Sequence, residues 1–130
     1  MSKDNVLERW LPVPDTDGFY DASDFGRIRS WKKFGAGNAR QDKPRILKAR
    51  VGTHGYLVTT ITMNGIQSPW YVHRMVAAAF LGPCPEGKEV AHDDGNRTNN
   101  VLTNLMYKTR MENHADKVRH GTNVGPRGEL

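Results

Sequence analysis

The chain has 130 residues, 37% of them hydrophobic and 25% charged, with a formal net charge of +5, which fits one folded domain or two small lobes on a shared core and excludes a disordered chain. No run of 18 apolar residues exists to span a membrane, and the first residues lack the apolar stretch of a secretory signal, so a cytoplasmic protein is expected. Cys84 stands alone, which excludes an internal disulfide and a cysteine-rich structural zinc site.

Residues 1–9 read as a frayed N-terminus, and ordered structure is expected from Trp10-Leu11-Pro12-Val13. Residues 18–30 read as a strand, a turn at Ser23 to Gly26, and a second strand. Residues 27–50 then hold nine bases (Arg27, Arg29, Lys32, Lys33, Arg40, Lys43, Arg45, Lys48 and Arg50) against one acid, Asp42. Such a segment is an electrostatic footprint for a polyanion. Within it, 32–44 reads as a mobile loop bounded by Pro44.

Strands are expected at 45–51 and 56–63, around the turn Gly52-Thr53-His54-Gly55, because 57–62 are mostly β-branched. Asn64-Gly65 is a hairpin signal, with the return strand over 66–72. At 72–81 the period changes: Met75, Val76, Ala79 and Phe80 recur at helical spacing until Gly82-Pro83 stops the helix. His73, opening that helix, reads as structural. A short strand at 88–91, a polar loop from His92 to Thr103, and a second strand at 104–108 follow. Thr109 and Glu112 then form a capping box for a helix running to about Arg119. A loose tail is expected over 122–130. The expected organisation is a β-rich module at 10–71, a linking helix and turn at 72–87, and a strand–loop–strand–helix unit at 88–121, hence an α+β fold.

That last unit carries the chemistry. His92, Asn104 twelve positions on, and Asn113 twenty-one positions on bring an imidazole and two carboxamides to a strand end, a strand start and a helix start. Phosphodiester hydrolysis needs a base for water, an offset for phosphorane charge and help for the leaving oxygen. A neutral histidine can meet the first need and a divalent metal the other two. An asparagine carbonyl is an oxygen ligand suited to Mg2+ or Mn2+, with other divalent metals admitted. His92 is therefore the candidate base, Asn104 its loop brace, and Asn113 the metal ligand. The loop Asp93 to Asn100 lacks EF-hand spacing, so its amides are expected to form Asx turns rather than bind calcium. His114 lies about 100° from Asn113 around the helix, which sets it outside the ion's direct ligands, and His120, two turns along the same face, reads as a phosphate contact or a cap of the helix end; both are kept as auxiliary candidates. His54 reads as a turn residue.

The run Val90-Ala91-His92-Asp93-Asp94-Gly95-Asn96-Arg97-Thr98-Asn99-Asn100, with Asn104-Leu105, Thr109, Glu112-Asn113 and Arg119-His120-Gly121-Thr122, resembles phage and mobile-intron HNH (ββα-metal) endonucleases. Trp10 to Ser30, including Ser23-Asp24-Phe25-Gly26-Arg27-Ile28-Arg29-Ser30, resembles the nuclease-associated module that precedes HNH domains in homing endonucleases. Residues 72–80 resemble the helix linking the two. The resemblance implies His92 as general base, Asn104 as loop brace, Asn113 as metal ligand, and phosphate contacts from the basic module.

Two departures stand out. Several homing members have a metal-binding aspartate just before the base, where this chain has Ala91, so weaker metal affinity is expected. Homing members also often continue into a helix-turn-helix, whereas this sequence ends at Leu130, so long sequence-specific recognition is not expected. The function expected is nicking or double-strand cleavage of DNA. Phosphate contacts are assigned to Arg27, Arg29, Lys32, Lys33, Arg45, Lys48 and Arg50, with Arg97 and Arg110 beside the site. DNA is the partner, with no membrane; the chain is expected as a monomer or weak dimer, in host cytoplasm if phage-encoded. A catalytically impaired DNA-binding accessory is the alternative that Ala91 favours. An RNA binder stacking bases on Trp31 and Phe34 is a third.

Overall fold

Three antiparallel sheets share one helix as their common support. The structure, a computed structural model, describes residues 7–33 and 39–120, with side chains as far as residue 115 on the last helix. Residues 1–6 of the terminus expected to fray, Phe34, the His120 side chain and the tail 122–130 therefore lie outside the described residues.

The first sheet has the order β1 (Trp10–Pro12), β2 (Tyr20–Ser23), β3 (Ile28–Lys32), β4 (Arg40–Ile46). Along β3 the residues Ile28, Ser30 and Lys32 are buried and alternate with half-buried Arg29 and Trp31, the period of a pleated strand. The β2–β3 turn is built by Ser23, whose Oγ accepts from the backbone N–H of Arg27 at 3.0 Å and of Phe25 at 3.2 Å.

The mobile loop expected over 32–44 is corrected at its two ends, while its residues 34–38 lie outside the described residues. Lys32 closes β3, and residues 40–44 belong to β4, which pairs through Lys32↔Arg40, Ser30↔Arg45 and Arg29↔Ile46. β4 is an edge strand, and an edge tolerates Pro44 because its outer side needs no ladder donor. The strand expected over 45–51 is likewise divided, between the end of β4 and β5 (Arg50–Val51).

The second sheet is β5, β6 (Leu57–Met63) and β7 (Ile66–Tyr71). Asn64 and Gly65 form the two-residue β6–β7 loop with φ of 54° and 77°, the positive pair that a type I′ hairpin turn requires. Helix α1 (Val72–Leu81) follows directly and buries Val72, His73, Met75, Val76 and Ala77. The third sheet is the hairpin of β8 (Lys88–His92) and β9 (Leu105–Thr109), which runs into α2 (Arg110–His120). The capping box forms as the sequence implies: Glu112 Oε1 accepts from the Thr109 N–H at 2.9 Å, and Thr109 Oγ1 from the Glu112 N–H at 3.1 Å.

One core joins these parts. Val13, Tyr20, Ala22 and Ile28 of the first sheet's region meet Ile61 of β6, Val72, Met75 and Val76 of α1, and Leu105 of β9. Each fully buried aliphatic side chain, such as Ile61 or Val76, stabilises the fold by roughly 1.5–3 kcal/mol. Tyr20 adds a polar tie, its hydroxyl accepting from the Thr62 N–H at 2.9 Å across to the second sheet. No helix of the described residues is long and apolar enough to cross a membrane.

Candidate active site

His92 sits at the end of β8, opposite Leu105, with only 7% of its surface exposed. Its Nε2 lies 2.8 Å from Oδ1 of the buried Asn100. An amide oxygen only accepts, so in this contact Nε2 is the donor. The ring also packs 5.9 Å from Tyr56 and 5.3 Å from His73, while Tyr56 and His73 stack at 4.6 Å. His73 opens α1 as expected, but it belongs to the wall of this site. Burial and the amide bond together hold the imidazole in one orientation.

The loop from Asp93 to Asn104 folds on its own side chains. Asn104 is buried; its Nδ2 donates to Asp94 Oδ1 at 2.9 Å and to the Asn99 carbonyl at 2.8 Å, and its Oδ1 accepts from the Asp94 N–H at 3.0 Å. It touches the loop rather than the His92 ring. Asx turns run through the same segment, with Asp94 receiving the Asn96 N–H and Asn96 the Thr98 N–H. The Asn99 amide, then the Asn96 N–H, hold the Asp94 carboxyl below the usual aspartate range.

The β2–β3 turn docks on this loop. The Leu102 N–H donates to the Asp24 carbonyl at 2.9 Å. Gly26 has φ +90°, and a Cβ there would come within 2.8 Å of the Asn100 carbonyl carbon and oxygen. Only glycine lets the turn approach the residue that anchors His92. Sequence reasoning missed this role of Asn100. Its neighbour Asn99 and the run of amides pointed to turns, and no spacing rule links Asn100 to a histidine eight positions back.

Asn113, the fourth residue of α2, is also buried. Its Nδ2 donates to Glu89 of β8, which turns the amide oxygen away from that carboxylate. Ala91, on the same strand face as Glu89, is 2% exposed and has no donor atom. No group of three His, Cys, Asp or Glu side chains able to hold a metal occurs among the described residues. The amide oxygen of Asn113 fits a hard, oxygen-preferring ion that keeps several waters, and does not resemble a zinc site. His114 is exposed on α2. Beside Glu89 opens a cleft of about 170 Å³, lined by His54, Tyr56, Tyr71, His73, Arg74 and Val90 as well.

The basic residues divide into two groups. Arg27 pairs with Glu8, Arg29 with Asp21 at 2.9 Å, and Lys32 is buried over the Phe19 ring at 4.8 Å. Lys33, Arg45, Lys48 and Arg50 are exposed, as is Arg110. Arg97 donates to the His54 carbonyl at 2.7 Å and lies 5.3 Å over Tyr56, at the rim of the site.

Residues 70–115 match the family model described as HNH endonuclease, and residues 8–62 match the NUMOD4 motif. The DNA endonuclease I-HmuI of Bacillus phage SP01 is 30% identical over 113 residues, 87% of this chain and 59% of that protein. YosQ of Bacillus subtilis, whose name places it among prophage-derived HNH homing endonucleases, is 38% identical over 89 residues, 67% of this chain and 50% of its own. A solved structure of I-HmuI, described as showing DNA binding and cleavage, matches with a TM-score of 0.70 at 30% identity, over 91% of this chain and 63% of the other. The chain thus spans between half and three fifths of the length of these two curated relatives.

Proposed function

With residues 70–115 an HNH endonuclease domain, residues 8–62 a NUMOD4 motif, and the chain homologous to I-HmuI, we propose that it is a metal-dependent DNA endonuclease. His92 is the general base, Asn104 braces its loop, and Asn113 holds Mg2+ or Mn2+. The observation that carries this reading is the buried His92, held on Asn100 through Nε2 and packed by the rings of Tyr56 and His73, an imidazole fixed in place to take a proton from water. When bound, the ion offsets the charge developing on the scissile phosphate and the departing oxygen. The cleft beside Tyr56, His73 and Arg74 accommodates the phosphate, and the exposed bases of residues 33–50 grip the flanking backbone. In this reading residues 10–71 act as the DNA-binding module, 72–87 as the link and 88–121 as the nuclease motif, working in the cytoplasm where the substrate lies.

Supercoiled plasmid incubated with the protein tests this. Conversion to nicked or linear forms in Mg2+ or Mn2+, blocked by EDTA and abolished in His92→Ala, is expected. The second reading, an accessory protein that binds without cutting, is favoured by Ala91. It requires salt-sensitive DNA binding unaffected by EDTA and no cleavage with any metal of a Mg2+, Mn2+, Ca2+, Co2+ and Zn2+ panel, and that result would overturn the nuclease assignment.

A further inference from the structure

We propose that Glu89 supplies the carboxylate of the ion site, as a direct ligand beside Asn113. The proposal rests on the reading of Asn113 as a metal ligand and goes beyond it in naming the charged partner. A divalent ion held only by neutral amides and water keeps its full charge uncompensated, and hard cations of this class are bound through one or two carboxylates together with substrate phosphates. The strand face that α2 covers offers two positions, 89 and 91, because alternate residues share a face. Ala91 has no donor atom there, and Glu89 has two oxygens.

Three observations place the Glu89 carboxylate in the right setting. It meets the buried Asn113 amide directly. It remains 38% exposed, open to an ion arriving from solvent. It lines the same cleft as Tyr56 and His73, the two rings that pack against His92. Its other neighbour is Arg110, whose Nε stands 3.8 Å away on a side chain 92% exposed. An exposed pair of that kind contributes little, so an incoming cation displaces the guanidinium at little cost. The start of α2 thus faces Glu89 with the Arg110 guanidinium and the Asn113 N–H, and a half-turn of the Asn113 amide would bring its oxygen to an ion on the same carboxylate.

Calorimetric titration with Mn2+, in the presence and absence of an uncleavable duplex, tests the assignment. The wild type is expected to bind one Mn2+, more tightly with the duplex. Glu89→Gln retains an oxygen acceptor for the Asn113 amide but loses the charge, and is expected to weaken Mn2+ binding about tenfold or more. Glu89→Asp is expected to keep more of the affinity than Glu89→Gln. Independently of any variant, Mn2+ should broaden the Asn113 side-chain amide and the Glu89 resonances first in the NMR spectrum of the wild type. Wild-type affinity in Glu89→Gln, or broadening centred away from residues 89 and 113, overturns the role of Glu89 and leaves the nuclease assignment standing. No Mn2+ binding by the wild type with duplex present overturns both the Glu89 role and the metal-dependent reading beneath it.

Discussion

A single amide decides how His92 is presented. Because Asn100 meets Nε2 at 2.8 Å, the buried imidazole is held in one orientation. Asn100→Ala is expected to lower kcat for plasmid nicking by about tenfold to a hundredfold with KM little changed, since it releases the ring without touching bound DNA. An unchanged kcat would show that burial among Tyr56 and His73 suffices. Asp94 gives the same loop a pH limit. Its carboxyl is held below the ordinary 3.8 by the Asn99 amide first and the Asn96 N–H next. A depressed folded value means that the contribution is complete above 3.8 and is lost as pH falls through the folded value. Thermal melts should therefore show loop-linked destabilisation beginning below about pH 4. Asp94→Asn should flatten that part of the profile, while Glu8, Asp24 and Glu112, also depressed, keep their own share.

Among the elements, the β2–β3 turn is the one whose local chemistry reaches the site. Gly26→Ala meets two penalties: a φ of +90°, worth roughly 1–3 kcal/mol of strain, and a Cβ driven to 2.8 Å from the Asn100 backbone. A total loss of about 3 kcal/mol in denaturant titrations is expected, with cleavage falling further than the unfolded fraction explains. Gly65→Ala is the control. Its φ is +77° but nothing lies within 4 Å of the new methyl, so it should cost strain alone and leave cleavage of the folded protein intact.

The contrast also marks what was legible beforehand. The Asn64-Gly65 turn, the helix at 72–81 and the Thr109–Glu112 capping box are written in neighbouring residues, so local rules recover them. β4 is not: an exposed, charged edge strand containing Pro44 carries no alternation, and only pairing with β3 defines it. The contacts Gly26–Asn100, His92–Asn100 and Glu89–Asn113 depend on how sheets and helix pack. The spacing that pointed to His92, Asn104 and Asn113 could not reveal their partners.

At the scale of the whole molecule, net charge overstates the surface offered to DNA. Nine bases fall within residues 27–50, yet Arg27 and Arg29 are committed to Glu8 and Asp21, Lys32 is buried, and Arg40 donates to the Gly18 carbonyl at 2.7 Å. Lys33, Lys43, Arg45, Lys48 and Arg50 remain exposed. Each phosphate contact steepens the dependence of log K on log salt by about 0.9, so five contacts from this segment give a slope near −4.5, where all nine would give about −8. Lys43→Ala or Arg50→Ala should each make the slope shallower by about 0.9 and leave the melting temperature nearly unchanged. Arg29→Ala should do the opposite, because its guanidinium is held by Asp21 and lies 4.3 Å over the Trp10 ring. Its removal lowers stability through lost packing and an unpaired Asp21, with the salt slope preserved. Duplex-binding titrations over a salt series, with melts of the same variants, separate the two classes; a slope that falls equally for Arg29 and Lys43 would show that DNA recruits the paired arginines as well.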